Sequence, residues 1–88
     1  MNEYQKELQA LKAWDEIQTY NKPEFALGYA FIGTAGHGYL VVPTTDKYYN
    51  KALEISNYGF VGKLAVYLEE DCEMSEFLDY IKGLDLPY

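Results

Sequence analysis

The run Leu64-Ala65-Val66-Tyr67-Leu68 limits what this chain can fold into more than any other segment. It is the strongest strand signal in the sequence, set off by the Val61-Gly62-Lys63 turn on one side and acidic residues on the other. Tyr39-Leu40-Val41-Val42 is a second strand, closed by Pro43, which cannot donate to a central ladder. Phe25, Leu27, Tyr29 and Phe31 alternate, so Phe25 to Ile32 reads as a third. The loop Gly33 to Gly38 would join the last two in an antiparallel hairpin. A short strand over Tyr58–Val61 is expected to pair with Leu64–Leu68 across its turn.

Helices fill the intervals. Tyr4, Leu8, Leu11, Trp14 and Ile17 recur every three or four positions, predicting a helix over 2–19 with Asn2 as N-cap and Asn21-Lys22-Pro23 as its stop. A second helix, about 46–56, would be capped by Thr44 or Thr45 and bury Tyr48, Tyr49, Ala52, Leu53 and Ile55. A third, about 72–82, would start at Asp71, bury Met74, Phe77, Leu78 and Ile81, and stop at Gly83, with the leucines of the following tail folded back on the core. The order α-β-β-α-β(β)-α is α+β: three or four mainly antiparallel strands with about three helices on one face. The 88 residues, 1–88, form one domain, without internal repeats or low-complexity segments. No apolar run approaches the roughly 20 residues of a membrane span. The opening Met-Asn-Glu leads into an amphipathic helix, so no signal peptide is expected and a cytoplasmic location is.

Charge narrows the partners. The chain carries 14 Asp and Glu against 7 Lys, no Arg, and a net charge of −7. Without the planar guanidinium fork and with a repulsive overall field, direct contact with nucleic acid or anionic lipid is not expected. The imbalance sits at one end: residues 69–88 hold Glu69, Glu70, Asp71, Glu73, Glu76, Asp79 and Asp85 against Lys82 alone. Acidic residues favour a helix start through the dipole, and a solvated helix face accounts for many such stretches. The alternative is a surface for a basic partner. Glu69, Glu73, Glu76 and Asp79 or Tyr80 follow helical spacing and would line the solvent side, where like charges cost a few tenths of a kcal/mol per pair. Ten tyrosines, with large apolar faces and polar tips, suit an interface, and Tyr20, Tyr39, Tyr58, Tyr80 and Tyr88 are candidates for exposure.

Enzymatic chemistry finds little support. Cys72 is the only cysteine, so no intrachain disulfide exists, and the carboxylates around it oppose a second negative charge on sulfur. It is expected to be a partly buried small side chain. His37 is the only histidine, and no His/Cys spacing suggests a metal, so neither metal nor cofactor is expected. Gly33-x-x-Gly36-x-Gly38 lacks the Lys-Ser/Thr of a phosphate loop and precedes a strand where a dinucleotide fingerprint needs a helix. A hairpin turn with glycines at positive φ is the simpler reading. The paired carboxylates lack the burying cleft that would separate an acid from a base.

The string His37-Gly38-Tyr39-Leu40-Val41-Val42-Pro43, then Ser56-Asn57-Tyr58-Gly59, then Val66-Tyr67-Leu68-Glu69-Glu70-Asp71-Cys72-Glu73 with Phe77-Leu78, resembles small proteins encoded by bacteriophages and prophages. The resemblance covers about residues 37–78 and not the N-terminal helix. It implies a phage or mobile-element origin and, by class, an inhibitor of bacterial defence of the kind that includes anti-CRISPR proteins. The expectation is a non-enzymatic protein acting in the host cytoplasm. It would bind the basic, nucleic-acid-handling surface of a host protein through Glu69, Glu70, Asp71, Glu73, Glu76 and Asp79, with Tyr67, Tyr80 and His37 alongside. A homodimer built on a tyrosine-rich sheet, or a nucleotide-sequestering module using Gly33–Gly38, are the alternatives.

Overall fold

A computed structural model describes residues 1–57 and 59–85. Asn2 opens the first helix, α1 (Glu3–Leu11), through a capping box: its Oδ1 accepts the Gln5 N–H at 2.9 Å, and Gln5 Oε1 accepts the Asn2 N–H at 2.9 Å. The helix stops at Leu11, well short of residue 19. Gln9 causes part of this, because its side-chain amide donates to the Lys12 and Asp15 carbonyls and accepts the Ile17 N–H. These bonds turn the chain out of the helix and start an edge strand, β1 (Ile17–Asn21).

The alternating segment that begins at Phe25 is not all strand. Glu24–Ala26 forms a 3₁₀ turn, Leu27 and Gly28 both take positive φ (52° and 93°), and β2 covers only Ala30–Thr34. It is followed by β3 (Gly38–Pro43), then α2 (Tyr49–Ile55), the two-residue β4 (Phe60–Val61), β5 (Ala65–Glu69) and α3 (Cys72–Asp85). Asp46 makes the turn before α2, its Oδ2 accepting the Tyr48 N–H at 3.0 Å, and no side chain caps that helix. Gly83 lies inside α3 and does not end it.

The described residues thus give an α+β domain with three α-helices and one five-stranded sheet in the order β1-β2-β3-β5-β4, every neighbour antiparallel. β1 is the strand the helical reading of residues 2–19 concealed. β4 pairs Phe60 with Tyr67 and Val61 with Val66.

Strand alternation sorts the core onto two faces. Leu40, Val42, Val66 and Leu68 point to one side, where Ala52 and Ile55 of α2 and Phe77, Leu78 and Ile81 of α3 cover them. Tyr39, Val41, Ala65 and Tyr67 point to the other, where Leu8 of α1 packs with Ile17 and Ile32. The helices therefore cover both faces and not one. This explains why the central runs are continuously apolar: β3 and β5 have no solvent side. Each fully buried side chain of the Leu or Phe type contributes about 1.5–3 kcal/mol. No helix of the described residues is long and apolar enough to cross a membrane.

Candidate functional site

The β2–β3 turn and the start of α3 meet at one end of the sheet. The Glu70 N–H donates to the Gly38 carbonyl at 2.9 Å. A Cβ on Gly38 would fall 2.2 Å from Phe31 Cζ and 2.7 Å from Glu70 Oε2, so close packing, not positive φ, requires glycine there. The turn is self-contained. Thr34 N–H donates to the His37 carbonyl, His37 N–H to Thr34 Oγ1, and Ala35 N–H to the Glu16 carbonyl. The Gly36 N–H is directed to Asp15. A phosphate placed on Gly33–Gly38 would find these backbone donors already taken.

Exposed carboxylates gather around this end and run along α3. Glu70, Asp71, Glu76 and Asp79 are exposed, Glu69 is half-buried, and exposed His37 stands beside them on the turn. Among the described residues the ion pairs are Lys12–Asp15 and Lys51–Glu54, so no cation neutralises Glu70, Asp71, Glu76 or Asp79. Tyr80 is 38% exposed and flanked by the Tyr48 ring and by the Lys51 ammonium, 4.9 Å from its ring centroid. Cys72 is exposed, contrary to the partly buried position expected of it.

Two of the expected surface residues face inward. Glu73 is 4% exposed; its carboxylate accepts the Asn57 N–H at 2.5 Å and the Glu69 N–H at 3.3 Å. Spacing places it there, because Glu73, Phe77 and Ile81 recur at intervals of four on the buried stripe. Tyr67 is fully buried, its hydroxyl donating to Glu7 Oε1 at 2.7 Å and lying 3.3 Å from the Tyr4 carbonyl. Burial, and then the neighbouring Glu7 carboxylate, push the Tyr67 phenol well above its ordinary value. Neither residue belongs to the exposed acidic surface. Of the tyrosines expected outside, Tyr39 is buried and Tyr20 half-buried, while Tyr58, Tyr88 and the tail beyond Asp85 lie outside the described residues.

Other polar groups do work the sequence gave no cue for. Glu7 reaches across to the β4–β5 turn and accepts the Lys63 and Leu64 N–H groups, at 2.7 and 3.1 Å, on the same carboxylate that holds Tyr67. Lys12, only 2% exposed, is bonded to Asp15 Oδ2 at 2.8 Å, with the rings of Tyr39, Trp14 and Phe60 at 4.9, 5.6 and 5.8 Å from its nitrogen. Burial opposes that charge, but the Asp15 and Tyr39 contacts override it and hold the ammonium above its ordinary value. Hydrogen bonds from Lys12 and Thr34 hold the Asp15 carboxyl at about 2. Among the described residues no group of three or more His, Cys, Asp and Glu side chains is placed to hold a metal ion.

No protein-family model matches the chain, and comparisons with characterised proteins and with solved structures likewise find no match.

Proposed function

We propose that this chain is a non-enzymatic binding protein that presents the exposed acidic face of α3 to the basic, nucleic-acid-handling surface of a partner protein. The observation that carries the reading is the set Glu70, Asp71, Glu76 and Asp79, exposed together and unneutralised among the described residues. Neighbouring like charges on a helix cost a few tenths of a kcal/mol per pair, and a cationic surface would reverse that cost. Complementary fields also raise association rates by about 10–10³, since charge steers the encounter. Glu69 and His37 lie at the edge of this face, and Tyr80 supplies an aromatic contact. Glu73 acts from beneath, as scaffolding, whereas Tyr67 belongs to the opposite, α1 side of the sheet. The resemblance to phage-encoded proteins supplies the class of partner, a host defence effector whose nucleic-acid site the acidic face would occupy.

The test is capture of the partner from a bacterial lysate, then calorimetric titration against the native chain and the E76K/D79K variant. The expected partner is basic and released by salt, and the variant binds it at least about tenfold more weakly with an unchanged melting temperature. Equal affinity of the two chains, or binding indifferent to salt, would overturn the reading.

A further inference from the structure

A cleft of about 500 Å³ opens where β3 ends and β2 begins, with Ile81 of α3 also in its lining. That volume falls within the range of roughly 300–1,000 Å³ typical of small-molecule sites. Four tyrosines from four parts of the chain line it: Tyr4 on α1, Tyr20 on β1, Tyr29 before β2 and Tyr48 at the start of α2. The hydroxyls of Tyr4, Tyr20 and Tyr48 bond to no described residue, so each retains a donor and an acceptor for a ligand.

The charge of the cleft is opposite to that of the molecule. Lys22 and Lys47 line it, both exposed and neither in an ion pair with a described residue. Asp46 is the only acidic residue of the lining among the described residues, and its Oδ2 already accepts the Tyr29 hydroxyl at 2.8 Å and the Tyr48 N–H at 3.0 Å. Leu27 and Gly28, both in left-handed conformations, also line the cleft. Leu27 is 42% exposed, so little burial offsets its unfavourable backbone, and strain of this kind is retained where a shape is needed.

We infer that this cleft binds a small planar aromatic anion, with the ring against the tyrosines and the anionic group between Lys22 and Lys47. Tyrosine faces favour flat rings, and unpaired ammonium groups favour phosphate or carboxylate. The net charge of −7 repels an extended polyanion, so the ligand is of mononucleotide size. The cleft adjoins the acidic face through Tyr48, whose ring packs on Tyr80, but its anion-binding groups are Lys22 and Lys47, so its failure would leave that reading untouched.

The experiment is amide-resolved NMR titration of the full chain with four probes: adenosine monophosphate, 2-naphthoate, adenosine and inorganic phosphate. At least one ring-plus-anion probe should saturate, shifting the amides of Lys22, Leu27, Gly28 and Lys47. Binding of adenosine monophosphate alone would identify a nucleotide site, and binding of both a general aromatic-anion site. The ring alone and the anion alone should bind about tenfold or more weakly, as should the best probe to the K22A/K47A variant. Both lysines are exposed, so that variant keeps its fold, which its melting curve checks. No saturation by about 5 mM of either ring-plus-anion probe, shifts confined to other residues, or full affinity in K22A/K47A would overturn the inference.

Discussion

Replacing Glu73 by Ala separates a carboxylate that holds the fold from those that face a partner. Among the described residues its backbone donors are Asn57 and Glu69, at 2.5 and 3.3 Å from a side chain only 4% exposed. A hydrogen bond to a charged acceptor contributes about 1.5–3 kcal/mol, and the longer of the two belongs at the lower end. Water reaches both donors in part, which trims the sum to roughly 2–4 kcal/mol. A domain of 88 residues has only about 4–13 kcal/mol of stability in total. The melting temperature should therefore fall by roughly 8–32 °C, at about 4–8 °C per kcal/mol. Glu73→Lys goes further, because it buries an ammonium against two N–H donors, and should leave no folded population. Exposed Glu76→Ala should stay within about 0.5 kcal/mol of the native chain. Urea denaturation of the three variants, with the slope compared to confirm two-state unfolding, gives the values directly. If Glu73→Ala costs no more than Glu76→Ala, the buried-acceptor argument fails. If it holds, loss of partner binding in a Glu73 variant reports on folding, whereas the exposed carboxylates Glu70, Asp71, Glu76 and Asp79 report on the interface.

Glu7→Ala removes the acceptor of the Lys63 and Leu64 N–H groups and of the Tyr67 hydroxyl, and should cost about 2 kcal/mol in chemical denaturation. A double-mutant cycle with Tyr67→Phe should give a coupling of about 1 kcal/mol, and a coupling near zero would refute the link. Asp15 is held at about 2 against an ordinary 3.8, so its contribution to stability is complete above about pH 4 and is lost as the pH falls towards 2. Asp15→Asn should flatten the acid limb of the stability–pH curve over that interval; an unchanged slope would show that Asp15 does not set it.

The sequence carried the α+β class, the N-cap at Asn2, the two central strands and α3, because each rests on local pattern. It hid the end of α1. No Gly or Pro interrupts the three-to-four repeat through Trp14 and Ile17, and what breaks the helix is made elsewhere: Gln9 bonding forward to Ile17, and Asp15 bonding to Thr34, nineteen positions on. Once the chain turns, Trp14 is left 75% exposed, while Ile17 reaches the core from a strand. Glu73 misled through its chemical type, although its spacing with Phe77 and Ile81 marked the buried stripe. Its partners among the described residues are backbone N–H groups, which no side-chain pattern reveals. The cleft was invisible for a related reason: Tyr4 and Tyr48 are far apart in sequence, and the left-handed Leu27 carries no glycine-like signal.

The placement of the lysines ties these features together. Lys12 is withdrawn into the core against Asp15, and Lys51 lies between Glu54 and the Tyr80 ring. Neither forms an ion pair with Glu70, Asp71, Glu76 or Asp79, which have no ion-pair partner among the described residues. Lys22 and Lys47 remain outward-facing at the tyrosine cleft. At physiological ionic strength fields decay over about 8 Å, so the exposed carboxylates and the Lys22 and Lys47 ammonium groups each act chiefly on a ligand in direct contact with them, although Tyr48 of the cleft packs on Tyr80 of α3. A polycation is drawn to the first, while the overall negative charge keeps long polyanions from the second and leaves it to small ones. Exchanging the signs at one site should therefore leave the affinity of the other within about twofold at that salt. Strong coupling between them would mean that the two surfaces serve a single ligand.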